Sequence, residues 1–276
     1  MIRSNTAWRF DCNAMSYKRP ALAQAFFMNN AALSFTNLCY QISGRAILRN
    51  LDLTVPAGSY FAIAGVNGAG KSTLIKLALD LIRPGAGSQI TIFNQSNQDT
   101  RCRQQLVYLP EKFDVKKNVT AWQYLQFVAA AYSMALDKQS VLLLSQKLDF
   151  PADRLESKVA SYSKGMVQKL GLISCFMLQR KLLILDEPLS GLDPSARYHF
   201  KQLLHDEKSK GRTIFYSTHM LADAEDICDQ FAILHEGEIK YIGTPADCIH
   251  QYAARSLEQA YMACIADRTA RIIGGA

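Results

Sequence analysis

The stretch "YFAIAGVNGAGKSTLIKLALDLI", residues 60–82, sets the frame for the rest of the chain. "YFAIA" is a short continuous apolar run ending in glycine, the pattern of a buried strand. "KSTLIKLALDLI" reads as a helix, and "RPGAGS" at 83–88 stops it. Between them "GVNGAGKS", Gly65 to Ser72, matches G-x-x-x-x-G-K-[ST]. In that pattern the glycines free the backbone to wrap phosphates, the lysine reaches the outer phosphates and the hydroxyl is a ligand for magnesium. A glycine-rich turn with no ligand is the plainer reading. The position between a strand and a helix start, where unpaired N–H groups and a partial positive charge gather, favours a phosphate site.

A bound nucleotide also requires an acidic strand end to hold magnesium and orient water. "LLILDEP", residues 182–188, has that form. Its apolar residues make a strand buried on both faces. Asp186 and Glu187 then emerge at the carboxyl end, where ligands lie in open α/β sheets. Asp186 is the candidate to hold magnesium, through water, and Glu187 the candidate general base. The alternative is a pair of solvated carboxylates capping the next element.

Farther out, "NLDLTV" (50–55) alternates apolar and polar residues as a half-buried antiparallel strand does. "QLVYLP", the helical "TAWQYLQFVAAAYSM", "LLILDEP", a helix from Pro194 to about Lys210, "RTIFYST", "MLADAEDICD" and a hairpin "QFAILHEGEIKYIG" around Gly237 follow in order. Strand and helix in alternation predict an α/β fold, a mostly parallel sheet covered by helices, with an antiparallel β layer. "SYSKGMVQKL", 161–170, breaks a helical pattern with a polar, glycine-bearing corner. Behind it Met166, Leu170, Ile173 and Met177 form one apolar stripe. Taken alone, the corner reads as an ordinary serine cap. Residues 1–30 read as an appendage without a convincing cleavage site, with Met15 and Met28 as alternative starts.

Composition sets the outer bounds. A chain of 276 residues, 49% hydrophobic and 20% charged, fits one large domain or two small ones. The net charge of +7 suits an anionic partner. Its basic residues are scattered, with Lys116 and Lys117, or Lys208, Lys210 and Arg212, as the nearest to a cluster, so no dedicated nucleic-acid surface is expected. Seven cysteines without a C-x-x-C pair argue for reduced, mostly buried thiols and a cytosolic setting. No apolar run approaches the roughly 18 residues needed to span a bilayer.

Together these motifs resemble the nucleotide-binding subunit of ABC transporters, from about Leu33 to Asp267, with most similarity to ABC-2-type exporter ATPases. The resemblance implies a P-loop NTPase of the ABC ATPase fold over 31–245, a helical subdomain inserted at about 113–180, and a helical tail over 246–276. It implies ATP and Mg2+ as ligands. The phosphate loop residues would be Gly65, Asn67, Gly68, Ala69, Gly70, Lys71, Ser72 and Thr73, with Ser72, Asp186 and Glu111 toward magnesium. Tyr40 matches the aromatic that stacks on adenine, although a buried strand tyrosine is the alternative. His219, after "YST", matches the switch histidine that contacts the γ-phosphate and helps place water. A lone histidine at a strand end is otherwise usually structural.

The corner at 161–170 corresponds to the family signature, usually Leu-Ser-Gly-Gly-Gln, and reads here Tyr162-Ser163-Lys164-Gly165-Met166. By resemblance it meets the γ-phosphate of an ATP held by the other subunit of a head-to-tail dimer. "SGLD", Ser190, Gly191, Leu192 and Asp193, matches the loop that touches the opposite subunit. Three positions depart from the pattern: Glu111 in place of glutamine, Lys164 in place of glycine, and Met166 in place of glutamine. A lysine there is favourable if its side chain bends toward the phosphate.

The implied partners are a second ATPase subunit, identical or not, and an integral membrane permease subunit. The helical insert and the Glu111 loop would form a groove for the permease's coupling helix, lined by Trp122, Tyr124 and Phe127 unless these are plain core. The tail "SLEQAYMACIAD" tilts the reading toward export, and the implied location is peripheral, on the cytoplasmic side of the inner (plasma) membrane. Two rivals stand beside this reading. One is a soluble ATPase module acting on the ribosome or DNA, against which stand a single copy of each motif and no sustained heptads. The other is a non-hydrolysing regulatory subunit, against which stand Asp186, Glu187 and His219.

Overall fold

The structure is a computed structural model that describes residues 30–267. The appendage over 1–30, apart from Asn30, the alternative starts at Met15 and Met28, and the end of the tail all fall outside the described residues.

Among the described residues, ten strands form two sheets. β1 (Ala31–Ile42), β2 (Arg45–Pro56), β4 (Gln89–Ile92) and β5 (Gln95–Ser96) make an antiparallel sheet in the order β2-β1-β4-β5. β3 (Tyr60–Ala64), β6 (Leu106–Leu109), β7 (Leu182–Asp186), β8 (Thr213–Thr218), β9 (Gln230–His235) and β10 (Glu238–Gly243) make the second, in the order β10-β9-β3-β8-β7-β6. All its pairings are parallel except the β9–β10 hairpin. The expected architecture is therefore present, and "NLDLTV" lies within β2.

The continuous apolar runs have a direct cause in the two-residue period of a strand. Tyr60, Ala62 and Ala64 of β3, with Leu183 and Leu185 of β7, enter one core; Phe61 and Ile63, with Leu182 and Ile184, enter another. The second core lies between the parallel and antiparallel sheets and takes Leu74, Ile75, Leu77 and Ala78 of helix α1 (Lys71–Ala78). The first takes residues from α2 (Ala121–Ala131), α3 (Lys138–Lys147), α4 (Lys164–Met177) and α5 (Pro194–Lys208). It also takes residues from α6 (Leu221–Ile227), α7 (Pro245–Gln251) and α8 (Leu257–Ala266). A strand buried on both sides cannot alternate polar with apolar, and these do not.

Three local outcomes differ from the sequence pattern. α1 ends at Ala78 rather than near Ile82, because Asp80 adopts φ 57° and pairs with Arg83 and Arg103, leaving Leu81 exposed. α4 is not amphipathic over its length: every residue from Leu170 to Leu178 is buried, since the helix lies inside a ring of neighbours. The Lys208, Lys210 and Arg212 group is no free basic patch, because Lys208 pairs with Asp229 while Lys210 and Arg212 both pair with Glu207. Among the described residues no helix is long and apolar enough to cross a membrane. Cys102, Cys175, Cys248 and Cys264 are buried thiols outside any disulfide.

Candidate functional site

The site lies at the carboxyl ends of β3, β7 and β8, adjacent parallel strands that deliver Gly65, Asp186 and Thr218 to one edge. At β3 the chain turns through Gly65–Gly70 into α1. Gly65 must be glycine, because a Cβ there would lie 2.3 Å from the Leu234 carbonyl oxygen. Gly68 (φ 85°) and Gly70 (φ 113°) occupy backbone conformations that side chains resist. Gly70 is the N-cap of α1 and supplies no side-chain cap, and the first turn holds no acidic residue. The opening N–H groups of α1 thus stand without a local anion, a cradle that fits a phosphate.

Lys71 is buried, and its Nζ donates to the Gly65 carbonyl at 2.7 Å and to the Val66 carbonyl at 3.4 Å. The same ammonium lies 3.3 Å from Glu187 Oε1. Glu187 Oε2 in turn meets His219 Nδ1 at 2.8 Å. Strand alternation explains why the two neighbouring carboxylates differ. Asp186 follows Leu182 and Ile184 onto the face that carries α1, whereas Glu187 leaves the strand at φ 49°, which turns its side chain along the edge toward His219. Such a backbone in a non-glycine residue costs on the order of 1–3 kcal/mol and is held by its surroundings.

Ser217 supplies part of that hold. It is fully buried on β8; its hydroxyl donates to Asp186 Oδ1 at 2.5 Å and accepts from the Glu187 N–H at 2.9 Å. The sequence reading passed over it because a serine in "YST" looks like any strand residue; its neighbour across the sheet, Asp186, was the available signal. Gln168 was also missed. Buried on α4, it donates from Nε2 to the Pro188 carbonyl at 2.9 Å, tying α4 to the turn after Glu187. Tyr108, half-buried at the end of β6, has its phenol pushed up to about 12, by burial first and then by the nearby charges of Asp186 and Glu111. Glu111 is exposed just beyond that strand.

The remaining candidates fall into two groups. Tyr40 is half-buried on β1 opposite Leu48, whose side chain reaches the position a Gly70 Cβ would fill, so it stands one strand pair from the phosphate loop. The corner at 163–166 has local contacts. Ser163 is exposed and caps α4, accepting from the Met166 N–H at 3.2 Å. The Lys164 stem runs along its own chain's Gly191, where an added Cβ would meet Lys164 Cε at 3.1 Å. Asp193, in the same loop as Gly191, caps α5 by accepting from the Ala196 N–H at 2.8 Å. Trp122 and Tyr124 are partly buried, Tyr124 stacking edge-on to Phe113, while Phe127 is 71% exposed. No group of three or more acidic, histidine or cysteine side chains able to hold a metal occurs among the described residues. Ser72, in the first turn of α1, and Asp186, at the end of β7, offer one hydroxyl and one carboxylate, a donor set that would leave a hard cation such as magnesium most of its water or phosphate oxygens.

Comparison with known proteins places this geometry. The family described as ABC transporter matches residues 48–190, more than half of the chain. An uncharacterized ABC transporter ATP-binding protein of Nostoc sp. is 36% identical over 71% of this chain and 59% of its own length, so the chain spans about three-fifths of that relative. A fluoroquinolones export ATP-binding protein of Mycobacterium tuberculosis is 33% identical over 75% of this chain and 68% of its own. Among solved structures, an ATP binding subunit of an ABC transporter superposes with a TM-score of 0.76 at 34% identity, covering 85% of this chain and 99% of the other. The chain belongs to the ABC transporter family.

Proposed function

We propose that the chain is an ATP-hydrolysing subunit that works as a head-to-tail pair and drives a membrane-spanning export partner from the cytoplasmic face. The observation that carries this reading is the convergence of Lys71, Asp186, Glu187 and His219 beside an uncapped helix start.

Phosphate oxygens of ATP would replace the Gly65 and Val66 carbonyls as acceptors for Lys71, and would take the N–H groups from Gly68 to Thr73, with Asn67 and Ala69 shaping the loop. That exchange draws Lys71 away from Glu187 and frees the carboxylate to accept a proton from water. Glu187 and His219 orient that water; the contact between them fixes which edge of the imidazole faces the phosphate. Magnesium, when bound, neutralises charge developing on the phosphates, and Ser72 and Asp186 would hold it, with Glu111 at the rim. Tyr40 would stack on the adenine. Ser163 to Met166 would meet the ATP of the partner subunit, and Ser190 to Asp193 would touch the partner at the same seam. The tail helix and the likeness to the mycobacterial fluoroquinolones export protein support export. The exposed Phe127, beside Trp122 and Tyr124, supports a groove for the permease.

The test is a Glu187→Gln chain isolated in detergent with MgATP. It should bind ATP, release phosphate at least a hundredfold more slowly, since a general base contributes roughly 10²–10⁴, and elute as a dimer with a polytopic membrane protein. Recovery with ribosomes or DNA and no membrane protein would overturn the transporter reading.

A further inference from the structure

We propose that Arg197 is a positioning residue that joins the loop after Glu187 to the segment carrying His219, so that movement of that loop sets the water-placing pair. The proposal rests on the assignment of Glu187 and His219 above.

Arg197 stands in the first turn of α5 and reaches three residues in two other segments. Its Nε donates to the Leu192 carbonyl at 3.3 Å, inside the 190–193 loop. Its Nη1 lies 3.0 Å from Met220 Sδ, on the residue directly after His219, and 3.5 Å from Asp223 Oδ2 in α6. A planar guanidinium can serve acceptors in several directions at once, whereas an ammonium is a point charge. Both connected segments are themselves stiff. Ser190 and Leu192 donate to the carbonyls of Glu187 and Leu189, making the loop one hydrogen-bonded unit with the glutamate. The Met220 N–H donates to Thr218 Oγ1 at 3.0 Å, so Met220 and His219 move together.

Asp223 anchors the arrangement. It is a carboxylate only 4% exposed; Oδ1 pairs with Lys201 at 3.2 Å, and Oδ2 receives no hydrogen bond and faces Arg197 alone. A buried carboxylate oxygen left at 3.5 Å from a guanidinium gains as the distance shortens. The pair is therefore a slack joint, able to tighten when the 190–193 loop and α6 approach. The His219 side chain is 47% exposed; its contact with Glu187 Oε2 sets the turn of the ring, and the ring's distance from the recess follows its backbone. Glu187, Ser190, Arg197, His219, Met220 and Asp223 all line one open recess.

The experiment measures steady-state ATP turnover and MgATP affinity in the assembled protein for Arg197→Gln, Arg197→Lys, Asp223→Asn and the Arg197→Gln/Asp223→Asn pair, with Glu187→Gln and His219→Ala as references. Arg197→Gln should lower kcat about tenfold to a hundredfold, the penalty of misplacing a catalytic group by an ångström or so. KM and MgATP affinity should stay near parental values, while the melting temperature falls as the buried Asp223 carboxylate loses a partner. Arg197→Lys should recover part of the loss, and the double variant should be no slower than Arg197→Gln, because both changes break one joint. An unchanged kcat for Arg197→Gln, or a loss confined to KM or to melting temperature, overturns the proposal. If Arg197→Gln is unstable, the near-isosteric Asp223→Asn carries the same kcat criterion. Parental turnover in Glu187→Gln or His219→Ala would instead sink the site assignment, and the proposal with it.

Discussion

Ser217 gives one hydroxyl to two neighbouring residues, as donor to Asp186 and acceptor from Glu187. Removing it leaves a buried carboxylate oxygen and a buried N–H without their partner, a loss on the order of 1–3 kcal/mol. Ser217→Ala is expected to lower the unfolding free energy by that amount, with a lower urea midpoint, and to slow ATP turnover, checked by denaturation and phosphate release. A fully stable variant would mean that water takes over both contacts. Gly65 poses the opposite problem, of space. The Cβ of Gly65→Ala would meet the Leu234 backbone carbonyl at 2.3 Å, and backbone cannot rotate aside as a side-chain tip can. The substitution should cost about 1–3 kcal/mol and reduce ATP affinity, measured by calorimetry, because the shift moves the loop itself. These two residues differ in legibility. Gly65 was marked by its pattern, while Ser217 acquires meaning only from a strand distant in sequence.

At the level of elements, α4 runs from the corner at 163–166 into the core, and Gln168 ties it to the turn after Glu187. Gly171, near its middle, lies where a Cβ would be 2.8 Å from Leu109 Cδ1 and 2.9 Å from the Phe113 ring. Alanine is the better helix former by about 1 kcal/mol, but overpacking a closed core costs roughly 1–3 kcal/mol. Gly171→Ala should therefore be destabilised on balance, with a lowered urea midpoint. A gain in stability would show that the half-buried Phe113 ring swings clear. The polar start of α4 was legible in the sequence, and so were the apolar residues Leu170, Ile173 and Met177 that it buries. What the sequence hid was the burial of Leu170 to Leu178 on every side, because a helix enclosed by neighbours carries no polar face to report its orientation.

Across the whole molecule, buried thiols link stability to alkaline pH. Burial pushes the Cys175, Cys228 and Cys248 thiols from 9.0 up to about 12. In the unfolded chain they lose protons near the lower value, so their contribution is complete below about pH 9 and is lost as pH rises toward 12. Each thiol contributes a slope of up to about 1.4 kcal/mol per pH unit in that window. Urea midpoints should fall from pH 8.5 to pH 10.5, and Cys175→Ala should fall less steeply than the parent from its own lower start. Equal slopes would mean that the Cys175 thiolate finds solvent in the folded state.

The alternation of strands and helices, the glycine pattern at 65–72 and the acidic strand end were decided by the sequence alone, since periodicity and a contiguous glycine pattern are local properties, whereas the helix Lys138–Lys147 and the short strands β4 and β5 were not read from it. The tertiary structure decided what those local facts become together. It set Lys71 against Glu187 and Glu187 against His219, put the Ser217 hydroxyl between the Asp186 carboxylate and the Glu187 N–H, and laid the Lys164 stem along Gly191 of its own chain. The reason is the parallel sheet: it brings to one edge the ends of β3, β7 and β8, strands separated by long stretches of chain, and no pattern within a single segment records which strands will be neighbours.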